Sequence, residues 1–307
     1  DALERVRGET GLRVAARSAP SNLADLMRGA DIAFDRFDGA GTTSYYTQPV
    51  RPVGTEREAL ERGLIDVVRS PAHAACYPVA FRSFLDMGVS VVEEMHAADA
   101  TRYRPLSASE AEHSAEVLFI GNCWPFKWAQ MAAYVRGLRA RFGDRFVIRG
   151  NGWPREAGAL GPIADEGVGA ANPMNRLANG ASVQVALHEP TQVLPFPFTG
   201  NERPYKLMLM GLAVVSDDNP VMRDHFRAGD ELWVASDPDE MVAACERLAA
   251  DPGARVAMGA AARARVAAEH TYAARATRLR DVLERPGRGL IWGRTGEPLD
   301  CAWKQAA

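Results

Sequence analysis

Short runs of apolar residues alternate along this chain with longer segments in which apolar positions recur every three or four residues. Leu12-Arg13-Val14-Ala15-Ala16 and Asp31-Ile32-Ala33-Phe34 read as short strands, with a helix over residues 22–28 between them. Residues 39–43 and 48–54 are loop-rich. A helical stretch at 56–62 leads into the apolar run at 64–68. A helix over about 80–87, ended by Gly88, leads into a buried strand at 89–92. This alternation predicts a parallel sheet with helices on its faces.

Residues 106–114 are polar and read as an interdomain linker. The alternation is clearer after them. Val117-Leu118-Phe119-Ile120-Gly121 predicts a buried strand, and residues 128–142 a helix with Met131, Tyr134, Val135 and Leu138 on one face. Strands are predicted at 146–150, 183–187, 212–216 and 232–235. Helices are predicted at 174–179, 202–210, 221–226, 238–250, 253–268 and 272–283. Asp237-Pro238 and Asp251-Pro252 have the form of an N-cap followed by a first-turn proline. The tail at 286–307 is rich in Gly and Pro, with Trp292 and Trp303 as anchors.

Composition narrows the function classes. With 307 residues the chain suits one large domain or two ordinary ones. Its 36 basic and 39 acidic residues leave a net charge of −3, so no basic field for nucleic acid is present. No apolar stretch approaches the roughly 20 residues of a membrane span. Cys76, Cys123, Cys245 and Cys301 are widely spaced and form no metal-binding pair, and the first residues are polar. A cytoplasmic chain is expected. Lysine is scarce: Lys127, Lys206 and Lys304 stand among 36 basic residues, a skew of the kind that genome composition produces.

In a doubly wound sheet, ligands bind beyond the carboxyl ends of the strands, near helix N-termini. Three segments lie there. They are Gly121-Asn122-Cys123-Trp124-Pro125-Phe126-Lys127, Gly150-Asn151-Gly152-Trp153-Pro154, and Thr199-Gly200-Asn201-Glu202-Arg203-Pro204-Tyr205-Lys206. The last could receive a diphosphate at a helix start, with Arg203 or Lys206 adding charge. Against this, a glycine after a strand is most often a turn residue, and Arg203 and Lys206 could form a solvated helix face.

These segments resemble the C-terminal domain of GT-B glycosyltransferases, especially the CgeB-like group. The resemblance lies in Phe119-Ile120-Gly121-Asn122, in Gly150-Asn151-Gly152-Trp153, and in the helix from Asn201 to Gly211 followed by Ala213-Val214-Val215-Ser216-Asp217-Asp218. Asp237-Pro238-Asp239-Glu240, Glu269-His270-Thr271-Tyr272 and the entry segment from Met95 to Pro105 extend it. It implies an α/β protein of two Rossmann-like domains facing across a cleft. The acceptor-side domain would cover residues 1–105 and be short or truncated. The nucleotide-sugar domain would cover 106–285, with the tail 286–307 packing back on the first domain.

By the same resemblance, a nucleotide-diphosphate-sugar donor transfers its sugar to a glycan or small-molecule acceptor, with no cofactor and no metal. Gly121, Asn122, Gly200 and Asn201 would cradle the diphosphate. Lys127, Arg203, Tyr205 and Lys206 would flank it, and Asn151, Gly152 and Trp153 would border the base. His96 and His188 are the candidate catalytic side chains, because imidazole titrates near neutral pH. His73 and Tyr77 are lesser acceptor-side candidates, and Tyr45, Tyr46 and Trp124 candidate sugar platforms. Asp217 reads as the N-cap of the helix that follows it. The chain departs from the family at Lys206, where a glutamate is expected on the ribose hydroxyls; Glu202 and Glu189 are alternatives at the wrong spacing. Two rival readings are a non-catalytic nucleotide- or glycan-binding module and a sugar-nucleotide epimerase.

Overall fold

The computed structural model describes residues 12–13, 35–37, 43–46, 67–70, 82–93, 96–123, 125–188, 201–284 and 290–292. In chain order the first strands are β1 (Leu12–Arg13), β2 (Asp35–Phe37), β3 (Thr43–Tyr46) and β4 (Val67–Ser70); α1 (Arg82–Asp86) and β5 (Ser90–Glu93) follow. The central elements are β6 (Ala115–Ile120), α2 (Pro125–Phe142), β7 (Phe146–Arg149), α3 (Pro173–Asn179), β8 (Ala181–Ala186), α4 (Glu202–Leu209) and β9 (Val214–Asp217). Then come α5 (Pro220–His225), β10 (Trp233–Ala235), α6 (Pro238–Ala250), α7 (Pro252–Glu269), α8 (Tyr272–Glu284) and β11 (Ile291–Trp292). None of the helices among the described residues is long and apolar enough to cross a membrane.

Two compact units emerge: Asp1–Met95 with Tyr272–Ala307, and His96–Thr271. These boundaries differ from the expected ones at 105/106 and 285/286, for identifiable reasons. Tyr103 and Arg102 reach Asp165 in the second unit, and Ser114 Oγ donates to Leu177 O at 2.9 Å. The supposed linker 106–114 is therefore stitched onto α3. Leu279 and Val282 of α8 pack with Val67, Val92 and Trp292, which places that helix in the first unit.

The first unit holds a sheet in the order β1-β2-β3-β4-β5-β11. β1 and β3 both run antiparallel to β2, while β3, β4, β5 and β11 pair in parallel. The wholly parallel sheet expected here is thus corrected to a mixed one. β3 begins at the last residue of the loop-rich run at 39–43 and continues through a segment with no strand prediction. Its Thr-Ser-Tyr-Tyr composition suits a pleated surface, and Tyr45 and Tyr46 pair in register with Val68 and Arg69. The helices expected at 22–28 and 56–62 lie outside the described residues.

The second unit is a five-stranded parallel sheet in the order β10-β9-β8-β6-β7. Val117, Leu118, Phe119 and Ile120 are all buried, as expected for a strand covered on both faces. On α2, Met131, Val135, Leu138 and Phe142 form the stripe that packs on Phe146, Ile148 and Met241. Four helices here open with an Asx-Pro pair. The side chains of Asn172, Asn219, Asp237 and Asp251 each accept from a first-turn N–H, and the proline that follows occupies a position needing no donor. The chain builds β7 on one side of β6, then crosses to β8 on the other. The sheet therefore has its topological switch between β6 and β8, where a parallel sheet opens its ligand crevice.

Candidate functional site

The loops after β6 and β7 are locked together. Gly121 N–H donates to Arg149 O at 2.7 Å, Cys123 N–H to Asn151 O at 2.9 Å, and Asn151 N–H to the Asn122 side chain at 2.8 Å. Trp153 Nε1 donates to Gly121 O at 2.7 Å, and its ring meets Phe119 and Trp128 edge-on. Gly152, at φ 76°, sits where a Cβ would overlap the carbonyl of Cys123, so the turn accepts only glycine. Burial raises the Cys123 thiol above its ordinary pKa, against the opposing charge of Lys127. Lys127 is itself buried in the first turn of α2.

The head of α4 meets this pair of loops. Arg203 lies over the Phe119 ring, 4.8 Å from its centroid, and its guanidinium fills the space a Cβ at Gly121 would need. Asn201 is the N-cap residue, but its side chain does not cap the helix. It donates to Leu187 O at 2.8 Å and ties the helix head to the end of β8. Gly121, Asn122, Lys127, Asn151, Gly152, Trp153, Asn201 and Arg203 thus lie on the loops and helix starts at the carboxyl edge of the sheet. Gly200 lies outside the described residues, as do His73, Tyr77, Trp124 and Glu189.

Two other members of the expected site have different surroundings. Tyr205 is fully buried; its hydroxyl lies 2.8 Å from His225 Nδ1, among the rings of Phe226 and His270. Lys206 is ion-paired with Asp165 at 3.0 Å and with Glu202 at 3.1 Å, and lies over the Tyr103 ring. Asp165 also accepts from Asn172 at 2.8 Å, and the Tyr103 hydroxyl lies 2.7 Å from its Oδ2. Burial alone would raise the Asp165 pKa; the Asn172, Lys206 and Tyr103 contacts outweigh it and hold the carboxyl below its ordinary value. Burial and the same carboxylate drive the Tyr103 phenol strongly upward.

His188 is fully buried beyond the end of β8. Its Nδ1 lies 2.5 Å from Asp217 Oδ1, and its backbone N–H donates to Asp217 Oδ2 at 2.9 Å. The expected capping role of Asp217 is thus corrected. Asn219 caps α5, accepting from Val221 N–H at 2.8 Å. The signal lay in the sequence, since Asn219-Pro220 repeats the Asx-Pro form. His96, the candidate catalytic base expected within the first domain, is instead the partly exposed first residue of the second unit.

A five-stranded parallel sheet with basic and glycine-bearing loops at its switch point defines a Rossmann-like architecture, and the chain shares the fold of GT-B glycosyltransferases. Residues 130–281 match the model of a family described as glycosyl transferase-like. Among solved structures, it is similar to AviGT4, a glycosyltransferase involved in avilamycin A biosynthesis (TM-score 0.58, 15% identity, covering 97% of this chain and 90% of that one). It is also similar to Anabaena HepE in complex with UDP (TM-score 0.55, 13% identity, 91% and 80% coverage). A third is a sucrose-phosphate synthase from Thermosynechococcus elongatus (TM-score 0.53, 13% identity, 83% and 68% coverage). No protein of curated function matches the sequence significantly.

Proposed function

We propose that this chain transfers a sugar from a nucleotide-diphosphate donor, held by its second unit, to a glycan or small-molecule acceptor. The observation that carries the reading is the seating of Arg203. A guanidinium at the head of α4 lies against the Gly121 turn at the sheet's switch point. A diphosphate there would meet both the positive end of a helix and a planar fork of donors. HepE, which holds UDP, shares the fold. Lys127, in the first turn of α2, adds a second cation at the same edge, and the leaving diphosphate is neutralised by these groups without a metal. Lys206 takes a different part: two carboxylates hold its ammonium, so it anchors α4. The CgeB-like group is the subtype whose motifs the chain carries, and the buried thiols of Cys123 and Cys245 suit a reducing cytoplasm.

The test is turnover of a nucleotide-sugar panel, with transfer and hydrolysis both followed. Arg203→Ala is expected to lower kcat/KM roughly 100-fold, the scale of one lost charge-assisted contact to the transition state. A chelator is expected to leave the rate unchanged. If no donor is consumed and no nucleoside diphosphate binds below millimolar, the proposal is wrong. Nucleotide binding without any turnover would instead identify a binding module.

A further inference from the structure

The pair formed by His188 and Asp217 leaves one atom unaccounted for. Asp217 ends β9, the neighbour of β8, and spends both carboxylate oxygens on His188, one on its backbone N–H and one on Nδ1. A carboxylate is an acceptor, so Nδ1 carries the proton. In the neutral imidazole this leaves Nε2 with a lone pair and no hydrogen. Nε2 is buried and has no hydrogen-bond partner among the described residues. Buried polar atoms in native proteins are almost always paired, and an orphan of this kind calls for a partner from outside the chain. The position suits a ligand. Leu187, the preceding residue, is bonded to Asn201 at the head of α4.

We infer that His188 Nε2 accepts a hydroxyl of the bound nucleotide-sugar, and that Asp217 is the positioning residue that fixes the imidazole in the required tautomer. The inference rests on the donor reading above and deepens it. Phosphate oxygens are acceptors and do not match a neutral Nε2. The hydroxyls of the ribose and of the transferred sugar do.

The experiment combines calorimetry with imidazole nitrogen NMR. UDP, ADP and GDP are titrated alongside their glucose conjugates, and the tightest pair is carried into His188→Ala, His188→Gln and Asp217→Asn. The wild-type spectrum is expected to show His188 protonated at Nδ1 and bare at Nε2. His188→Ala should weaken binding roughly tenfold or more, the effect of losing one buried hydrogen bond. His188→Gln, whose amide oxygen is again an acceptor, should recover part of the loss. Asp217→Asn can donate to Nδ1, so it should reverse the tautomer and bind as weakly as His188→Ala. A loss shared by the nucleoside diphosphate assigns the ribose; a loss confined to the glucose conjugate assigns the sugar. A wild-type imidazole protonated at Nε2 alone, or a His188→Ala protein that binds every ligand as tightly as wild type, overturns the inference. If the wild type binds none of the six ligands, the donor reading itself has failed; binding that ignores His188 defeats only the present inference.

Discussion

Two carboxylates of the second unit, Asp165 and Asp217, are satisfied in opposite ways. Asp165 gathers four partners from three segments: Arg102, at 3.6 Å, and Tyr103 on the entry strap, Asn172 at the cap of α3, and Lys206 on α4. That network is closed, and its partners belong to the fold. Asp217 binds one residue twice and leaves that residue's far nitrogen unmatched. A closed network stabilises the arrangement of elements it joins, whereas an open one holds an atom ready for a ligand. Substitutions around Asp165 should therefore act on stability and those around Asp217 on binding.

The largest expected effect comes from Lys206→Glu, which introduces the residue type that the resemblance leads one to expect at this position. Lys206 is only 14% exposed and lies between Asp165 and Glu202. A glutamate there would place three carboxylates together and leave Arg102, 3.6 Å from Asp165, as the cation beside them. Breaking such a partly buried pair costs about 3 kcal/mol. Thermal unfolding should show this as a clear fall in Tm, with no gain in nucleoside diphosphate affinity. A variant that kept its Tm and bound nucleotide more tightly would reverse the roles assigned to the two clusters.

A smaller effect is expected from Tyr103→Phe, which removes one donor from Asp165 and leaves three partners in place. One hydrogen bond to a charged group contributes about 1.5–3 kcal/mol, and the low end applies here because the other partners remain. Denaturant unfolding should register the loss, while ligand affinity should match wild type. A drop in affinity at unchanged stability would mean that the strap, too, serves the ligand.

The second unit was largely legible from its residues because its signals are local. The run from Val117 to Ile120 and the Met131, Val135 and Leu138 stripe each specify their element within a few residues. The proline-led starts at Asp237 and Asp251 form the caps their sequence predicts, and Asn172 and Asn219 carry the same local form. The first unit gave less because strands such as Asp-Arg-Phe and Thr-Ser-Tyr-Tyr lack an apolar run. Within the site, glycines and Arg203 stood out through spacing. Asp165 could not: it lies in a Gly- and Pro-containing loop with no period, 41 residues from Lys206 along the chain. The role of Asp217 was not legible in the sequence, because only the packed sheet brings its carboxylate to His188 at the end of β8.

The smallest effects come from pH, and they separate the two ends of the Asp165 network. The Asp165 carboxyl is held below its ordinary value, so its contribution to stability is present above the unfolded pKa of about 3.9 and disappears as pH falls through the lower folded value. The Glu110 carboxyl, held at about 2 by Arg104 and Ser107, is lost over an overlapping range. The acid arm of the wild type alone is therefore ambiguous, and the difference between wild type and Asp165→Asn from pH 5 to pH 2 is the informative quantity. Tyr103 works with the opposite sign. Burial and the neighbouring carboxylate raise its folded pKa, so its contribution is full below the unfolded value of about 10 and declines as pH climbs beyond it. Stability against denaturant should therefore fall more steeply above pH 10 in the wild type than in Tyr103→Phe. Equal alkaline slopes in the two proteins would show that the phenol is not held against Asp165, and the closed half of the comparison would lose its anchor.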